Sequence, residues 1–183
     1  MASGRKASSG CGWGCASDGY LRGNFSSSGG GGSEFAASCD MRYGVRGKTV
    51  VSQMEVALGI IPGGSGTQRL PRLVGRGRAL EICLGCEDID AETAHQWGYL
   101  NRLFDSAGEM DDWVAAFARR VASWPTDAIA LCKASINNAE KELGEALLDE
   151  AHLFQQSLRG PDATPRMKRA LAMGAQTREG ELR

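Results

Sequence analysis

Residues 55–75, EVALGIIPGGSGTQRLPRLVG, carry the clearest structural pattern in the chain. The apolar run at 56–61 predicts a short strand. The cluster at 62–66 predicts a loop, because glycine and proline interrupt regular structure. Residues 67–74 then predict a helix that ends at a glycine, although Pro71 lies inside it. The stretch therefore indicates a strand, a glycine-rich loop and a helix in close succession.

Short elements are predicted on both sides of this stretch. Upstream, glycines at 29–32 predict a turn that opens a short helix. Downstream, Asp90 predicts an N-cap for a helix at 91–97, because its carboxylate can accept a hydrogen bond from the first helical turn. The other predicted elements are strands at 41–45, 49–51 and 99–104 and a helix at 78–84.

The C-terminal part of the chain predicts four helices. Ser106 and Glu109 fit a capping box, and apolar residues then recur at helical spacing from Met110 to Val121. The other three helices are predicted at 125–136, 143–158 and 163–173. The fold class is therefore an α/β segment followed by a helical layer, and the few predicted strands would form a small, incomplete sheet.

Three segments follow from these patterns. Residues 1–28 are dominated by serine and glycine, so they bury too little apolar surface to offset the entropy of ordering, and we expect them to be disordered. Residues 29–104 form the predicted α/β core. Residues 105–183 form the predicted helical region.

Charge and hydropathy exclude two classes of partner. The formal net charge of -1 argues against a general nucleic-acid binder, which would carry a basic excess. No apolar run approaches the roughly 20 residues that span a bilayer. We therefore expect a soluble, cytoplasmic protein. Arg5 and Lys6, with no acid in the first 17 residues, leave organelle targeting as a weaker alternative.

Two glutamates lie in settings that suit acid/base chemistry. Glu34 follows a glycine-rich turn at a helix start, where free backbone N–H groups can stabilise an oxyanion. The alternative, a flexible linker running into a helix, is favoured by the pattern alone. Glu55 precedes an apolar run and would be partly desolvated there, which suits proton transfer. Its alternative is a solvated glutamate at a strand edge.

Other motifs favour structural interpretations. Cys83 and Cys86 form a C-x-x-C, but no further ligands have the spacing of a metal site, so no metal is expected. The glycines of the 62–66 loop could cradle a phosphate, yet no Gly-Lys-Ser/Thr follows. A solvated helix face explains the arginine cluster better than phosphate binding does. Its members are Arg69, Arg72, Arg76 and Arg78.

The chain resembles the enoyl-CoA hydratase/isomerase (crotonase) superfamily. Residues 55–75 are similar to a long, distinctive family motif, and the similarity continues, in shorter strings, to residue 104. Upstream, GGGSEFAASCD at 30–40 resembles the family's glycine-rich helix start and its first catalytic glutamate. The resemblance covers roughly residues 29–183. It implies an incomplete crotonase (ClpP/crotonase-like) fold with a C-terminal helical region.

The resemblance also implies a reaction and its residues. Glu34 matches the family's first catalytic glutamate and Glu55 its second. In family hydratases such a pair activates a water that adds to C3 of a 2-enoyl-CoA, and it delivers a proton to C2. Gly31 matches one of two backbone donors of the oxyanion hole. The presence of both glutamates favours hydration over isomerisation. Substrate contacts are expected at Gly32, Pro62 and Gly63.

Partners follow from the same resemblance. An acyl-CoA thioester is the expected substrate, and coenzyme A enters only as part of it, so no separate cofactor is expected. The helical region at 105–183 matches the part of the family domain that packs trimers, so a homo-oligomer, a trimer or a dimer of trimers, is expected. Neither a nucleic acid nor a membrane is expected as a partner.

Departures from the family pattern leave two alternatives open. Residues 1–28 do not resemble the family's N-terminal portion, which supplies early strands and the second oxyanion donor. The string Val-Ser-Gln-Met stands before Glu55 where the family has Phe-Gly-Gln-Pro. One alternative is a truncated, catalytically impaired homologue acting as an assembly or regulatory subunit. The other is a misassigned start or splice product of a gene for a full-length enzyme.

Overall fold

A computed structural model describes residues 14–15, 21–22, 30–175 and 177. The predicted disorder of residues 1–28 lies outside the described residues, except for two short antiparallel strands, β1 (Gly14–Cys15) and β2 (Leu21–Arg22). The chain divides into two compact units, Met1–Val114 and Ala115–Arg183. The predicted division at residues 104 and 105 stays a prediction.

The first unit carries the short strands and helices around the quoted motif. In chain order they are α1 (Gly31–Ala37), β3 (Tyr43–Val45), β4 (Val50–Val51), α2 (Gly66–Val74), α3 (Arg76–Gly85), β5 (Ile89–Asp90), α4 (Ala91–Gln96) and β6 (Arg102–Phe104). The helix α5 (Ala107–Ala122) follows them. These bounds confirm the predicted order of helices, and most ends agree within a few residues.

The described strands of this unit pair two by two. β3 and β6 run parallel, with Tyr43 opposite Arg102 and Val45 opposite Phe104. β4 and β5 run antiparallel. The predicted strand at 99–104 is shorter than expected, because the backbone N–H groups at 99 and 100 bond to the last turn of α4. The described strands of this unit therefore form two-stranded sheets, where the sequence predicts one small, incomplete sheet.

The predicted strand at 56–61 is wrong. Residues Val56–Leu58 form a single 3-10 turn that begins at Glu55, and Gly59 ends it with a φ of 79°. Only glycine adopts that backbone readily. Leu58, Ile60 and Ile61 are exposed, so their apolar character does not reflect a buried strand. The consequence is that Glu55 begins a turn and not a strand.

Helix ends confirm the predicted caps. The Asp90 carboxylate accepts the backbone N–H of Thr93 at 2.8 Å, and this bond lowers the pKa of Asp90. Gly75 closes α2, donating its N–H to the carbonyl of Pro71. Ser106 accepts the N–H of Glu109 at the start of α5. Each cap satisfies backbone groups that a helix end leaves free.

The larger of two apolar clusters among the described residues of the first unit packs α1, α2 and α3 together, and a smaller one contains Val45, Phe104 and Met110. Leu70 is fully buried at the centre of the larger cluster, and Val74 from α2 and Ile82 from α3 pack with it. Ala36 and Ala37 from α1 belong to the same cluster. Small alanines bring α1 close to α2, and this fixes α1, which carries Glu34, against the helix that follows the glycine-rich loop.

Tyr99 and Arg42 form a buried polar link across this core. The Tyr99 hydroxyl donates to the carbonyl of Ser33 at 3.0 Å. Arg42 donates to the carbonyls of Tyr99 and Cys39, at 2.6 and 2.7 Å. Burial raises the pKa of Tyr99 and lowers that of Arg42. The link ties α1 to the segment that precedes β6.

At alkaline pH the protein is expected to lose folding stability, and Tyr99→Phe is expected to make this loss smaller. The folded-state pKa of Tyr99 lies above the ordinary value of 10.0. The folding stability that this shift contributes is therefore fully present below the ordinary pKa and is lost as pH rises through the folded-state pKa. The variant lacks this component and loses the hydrogen bond to Ser33, worth about 1 kcal/mol, at neutral pH. Urea unfolding from pH 8 to 11 tests this, and an unchanged slope against pH contradicts it.

The second unit is helical throughout its described length. After the end of α5 it contains α6 (Thr126–Asn137), α7 (Leu143–Arg159) and α8 (Ala163–Ala172), and these bounds confirm the predicted helices. None of the residues in these three helices is buried. Leu143, Leu148 and Phe154 are each more than half exposed on α7. The apolar stripes are therefore open in the single chain.

Candidate active site

Glu34 lies in the middle of α1 with its side chain turned into the protein. The residue is 6% exposed. The backbone N–H of Gly66 donates to Glu34 Oε1 across 2.9 Å. Because a buried carboxylate needs hydrogen-bond donors, this amide stabilises the side chain where it stands. The first amide of α2 thereby fixes one oxygen of the candidate catalytic group.

The glycine-rich loop leaves room for that carboxylate. A Cβ built on Gly64 would lie 2.5 Å from Glu34 Oε2, and one built on Gly66 would lie 2.9 Å from Oε1. No side chain fits at either position without moving the glutamate. The sequence suggested a phosphate cradle as one use for these glycines. In the structure they receive the carboxylate of Glu34.

Glu55 lies against Gly30, the residue that precedes α1. It is 9% exposed, and a Cβ built on Gly30 would lie only 2.8 Å from Glu55 Oε1. The Gly30 N–H donates to the carbonyl of Ser52, which holds the segment before Glu55 against the start of α1. The predicted alternative of a solvated glutamate is wrong, because the carboxylate is buried. The structure thus places Glu55 beside the residue that precedes Gly31.

Gly31 is the first residue of α1 and is exposed. The first N–H groups of a helix have no partner within the helix, so they are available to an incoming acceptor. A Cβ built on Gly31 would meet nothing within 4 Å, so the space around it is open. Gly32 follows in the same turn and is half-buried. Gly30, the residue before this turn, is the one that lies against the buried carboxylate of Glu55.

Cys83 on α3 has a partly buried thiol with a raised pKa. Burial raises the pKa of its thiol, and the charges of Glu55, then Cys86 and Glu34, raise it further. Both glutamates therefore lie within electrostatic reach of one sulfur atom. Cys83 also lines an apolar cavity of about 290 Å³, together with Val56 and Pro62. The sequence treated this cysteine only as part of a C-x-x-C and missed its place in this cavity.

Several buried polar atoms around the glutamates have no hydrogen-bond partner. They are Ser33 Oγ, both side-chain heteroatoms of Gln53, and Glu55 Oε2. Buried polar groups are almost always hydrogen-bonded, so unsatisfied ones mark places where a water or a ligand can bind. Ser33 precedes Glu34 in α1, and Gln53 lies two positions before Glu55. Glu55 Oε2 is the one carboxylate oxygen among these atoms, and it can accept a hydrogen bond.

The remaining predicted site residues lie in the loop. Pro62 is fully buried and lines the apolar cavity, whereas Gly63 is exposed. Their roles as substrate contacts stay predictions. Three glycines, at 30, 64 and 66, leave space for the carboxylates, although sequence reasoning assigned this role to none of them. Their position in glycine-rich runs was visible, but their target was not.

Gly30→Ala is expected to lower catalytic turnover about tenfold, because the new methyl displaces the Glu55 carboxylate and small misplacements are costly. Gly47→Ala is the matched control. Gly47 also has a positive φ, 66° against 52°, but a Cβ there meets nothing within 4 Å. Each variant puts a Cβ on a backbone with positive φ, so each is expected to lose stability, but only Gly30→Ala is expected to lose turnover. Equal turnover in the two variants would contradict the role given to Gly30. Steady-state kinetics and thermal unfolding measure the two effects.

Comparison with known proteins gives a consistent picture. The family model described as enoyl-CoA hydratase/isomerase matches residues 26–171. The short-chain-enoyl-CoA hydratase of Clostridium acetobutylicum is 36% identical over 126 residues, which is 68% of this chain and 48% of that protein. A probable enoyl-CoA hydratase of Rhizobium meliloti is 32% identical over 156 residues, 84% of this chain and 58% of that protein.

Comparison with solved structures points to the same family. An enoyl-CoA hydratase from Geobacillus kaustophilus HTA426 superposes with a TM-score of 0.74 at 34% identity, over 79% of this chain and 55% of that one. The chain spans about half the length of the curated relatives it matches. Among the described residues, no helix combines the length and apolar character needed to cross a membrane.

Proposed function

This chain belongs to the enoyl-CoA hydratase/isomerase family and has the crotonase fold, and from that premise we propose that it adds water to the double bond of a 2-enoyl-CoA. The observation that carries the proposal is the burial of two glutamates around one short helix, Glu34 within α1 and Glu55 against Gly30, the residue that precedes it. A pair of carboxylates in a shared, partly dry site suits coupled proton transfer. Relatives named short-chain-enoyl-CoA and crotonyl-CoA hydratases support this substrate class.

The proposed reaction uses Glu34 and Glu55 as the acid/base pair. One carboxylate accepts a proton from a bound water while the water oxygen forms a bond to C3 of the enoyl group. The C2–C3 π electrons move toward the thioester, and the other glutamate, protonated as a carboxylic acid, delivers its proton to C2 and becomes a carboxylate. The unpaired Glu55 Oε2 offers an acceptor for the water. The atoms balance with water and the enoyl thioester alone, so the proposal includes no separate cofactor.

Gly31 is the proposed oxyanion donor. Negative charge develops on the thioester oxygen as the water adds, and a preorganised N–H aimed at that oxygen lowers the barrier. The open space around Gly31 admits the thioester, and the positive end of α1 adds to the attraction. Gly32 and the exposed Gly63 are the proposed contacts for the neighbouring part of the substrate.

Homo-oligomerisation is proposed for the second unit. Its helices expose leucines and a phenylalanine along one stripe of α7, and open apolar faces of this size are costly in water. The family resemblance gives a trimer, or a dimer of trimers, as the assembly. Size-exclusion chromatography with light scattering tests this, and a clean monomer at micromolar concentration contradicts it.

A spectrophotometric assay tests the proposed function. The purified chain is mixed with crotonyl-CoA, and loss of the enoyl thioester absorbance is followed. We expect turnover by the wild type and a loss of about 10²–10⁴-fold in kcat in Glu55→Gln. The double variant Glu34→Gln/Glu55→Gln supplies the background rate. Absence of wild-type turnover, or equal rates in wild type and Glu55→Gln, contradicts the proposal and favours a non-catalytic assembly or regulatory role.

A further inference from the structure

Ser65 adopts a backbone conformation that serine rarely takes. Its φ of 89° lies in the left-handed region, within the run Gly63, Gly64, Ser65, Gly66. A side chain in that region is strained, and glycine would remove the strain. Such an outlier persists only where the surrounding structure holds it, and it points to a use for the side chain.

The Ser65 hydroxyl has two hydrogen-bond partners. Arg69 Nε donates to Ser65 Oγ at 3.2 Å, and Ser38 Oγ lies 3.2 Å from Ser65 Oγ. Ser38 Oγ itself donates to the carbonyl of Glu34 at 3.0 Å. Because a hydroxyl has one proton, Ser65 must donate to Ser38. The hydrogen bonds therefore run from Arg69 to Ser65, from Ser65 to Ser38, and from Ser38 to the carbonyl of Glu34, which is the final acceptor.

This chain of hydrogen bonds connects the two segments around Glu34, the helix α1 and the glycine-rich loop. Ser38 caps the C-terminal end of α1, and its N–H also bonds to the Glu34 carbonyl. Ser65 lies between Gly64 and Gly66, the two residues whose backbone meets the Glu34 carboxylate. The Ser65 hydroxyl thus ties the loop that holds the carboxylate to the helix that carries it.

We propose that Ser65 is a positioning residue, which through Ser38 and Arg69 keeps the Gly66 N–H directed at the Glu34 carboxylate. The expected effect on turnover rests on the proposed function. The expected effect on the direction of the Gly66 N–H does not. A glycine at position 65 would relax the backbone and release the loop. The hydroxyl therefore serves the geometry of the site at a cost in local strain.

Two substitutions separate this role from a purely structural one. Ser65→Gly removes the strain and the hydroxyl together. Ser65→Asn keeps a side chain that tolerates positive φ and offers both an acceptor for Arg69 and a donor for Ser38. We expect Ser65→Gly to leave the melting temperature unchanged or raised, yet to lower kcat about threefold to tenfold with little change in KM. We expect Ser65→Asn to retain most of the wild-type kcat.

Hydrogen exchange at the Gly66 amide, measured by NMR, tests the inference without a measurement of enzymatic turnover. We expect exchange to quicken about tenfold in Ser65→Gly and in Ser38→Ala, and no further in the double variant, because both belong to one chain of bonds. Ser65→Asn should keep the wild-type protection. Unchanged Gly66 exchange in Ser65→Gly overturns the inference, even if the enzyme is active. If the chain lacks turnover but Gly66 exchange responds as stated, the proposed function fails and the positioning role stands.

Discussion

Glu34→Gln should abolish most hydratase turnover, lowering kcat about 10²–10⁴-fold, without unfolding the protein. Glutamine has nearly the same shape and can still accept the Gly66 N–H through its amide oxygen. It cannot take up or release a proton in the same way. The loss should therefore appear in kcat, and the melting temperature should change by little.

The control for this variant is Glu81→Gln, which changes an exposed glutamate on α3. It removes the same charge from the chain and should keep wild-type kinetics. The double variant Glu34→Gln/Glu55→Gln should be hardly slower than the slower single variant, because groups that act in one step are not additive. Independent, multiplicative losses would show that the two carboxylates do not act together.

Leu70→Ala should produce the largest loss of stability, about 2–5 kcal/mol in the free energy of unfolding. Leu70 is 0% exposed at the centre of the cluster that joins α1, α2 and α3. Removing three side-chain carbons there leaves a cavity as well as lost apolar burial. Because this cluster fixes α1 against α2, the variant should also lose turnover at temperatures below its melting point.

Leu84→Ala provides the comparison for stability. Leu84 lies on α3 with a relative exposure of 64%, so its truncation should cost no more than about 0.5 kcal/mol. Urea unfolding of the two variants and the wild type, followed by circular dichroism, measures the difference. A cost under about 1 kcal/mol for Leu70→Ala would mean that this cluster is not the core of the first unit.

Local signals in the sequence predicted much of the fold. Asp90, Ser106 and Gly75 cap the helices where the pattern placed them, because capping depends on residues only a few positions apart. The run at 56–61 failed for a different reason. Periodicity does not distinguish a short apolar strand from a turn whose apolar side chains are exposed, and Gly59 with its positive φ breaks the run.

The candidate site was only partly predictable. Glu34, Glu55 and Gly31 came from the resemblance, since their patterns alone favoured a linker and a solvated side chain. The contacts of Gly64 and Gly66 with Glu34 join residues about 30 positions apart in the chain, so no local pattern reveals them. Cys83 lines the apolar cavity beside Val56 and Pro62 through the packing of α3. Ser65 is visible as the one non-glycine of its run, but its strain needs coordinates.

A crystal structure of the chain with butyryl-CoA, a saturated substrate analogue, would test whether the glutamates share one reaction site. We expect the thioester oxygen about 2.7–3.1 Å from the Gly31 nitrogen. The carboxyl groups of Glu34 and Glu55 should then both face C2 and C3, with a water between them and the acyl chain. A thioester bound away from Gly31, or carboxyl groups that open onto different surfaces, would contradict the two-glutamate mechanism.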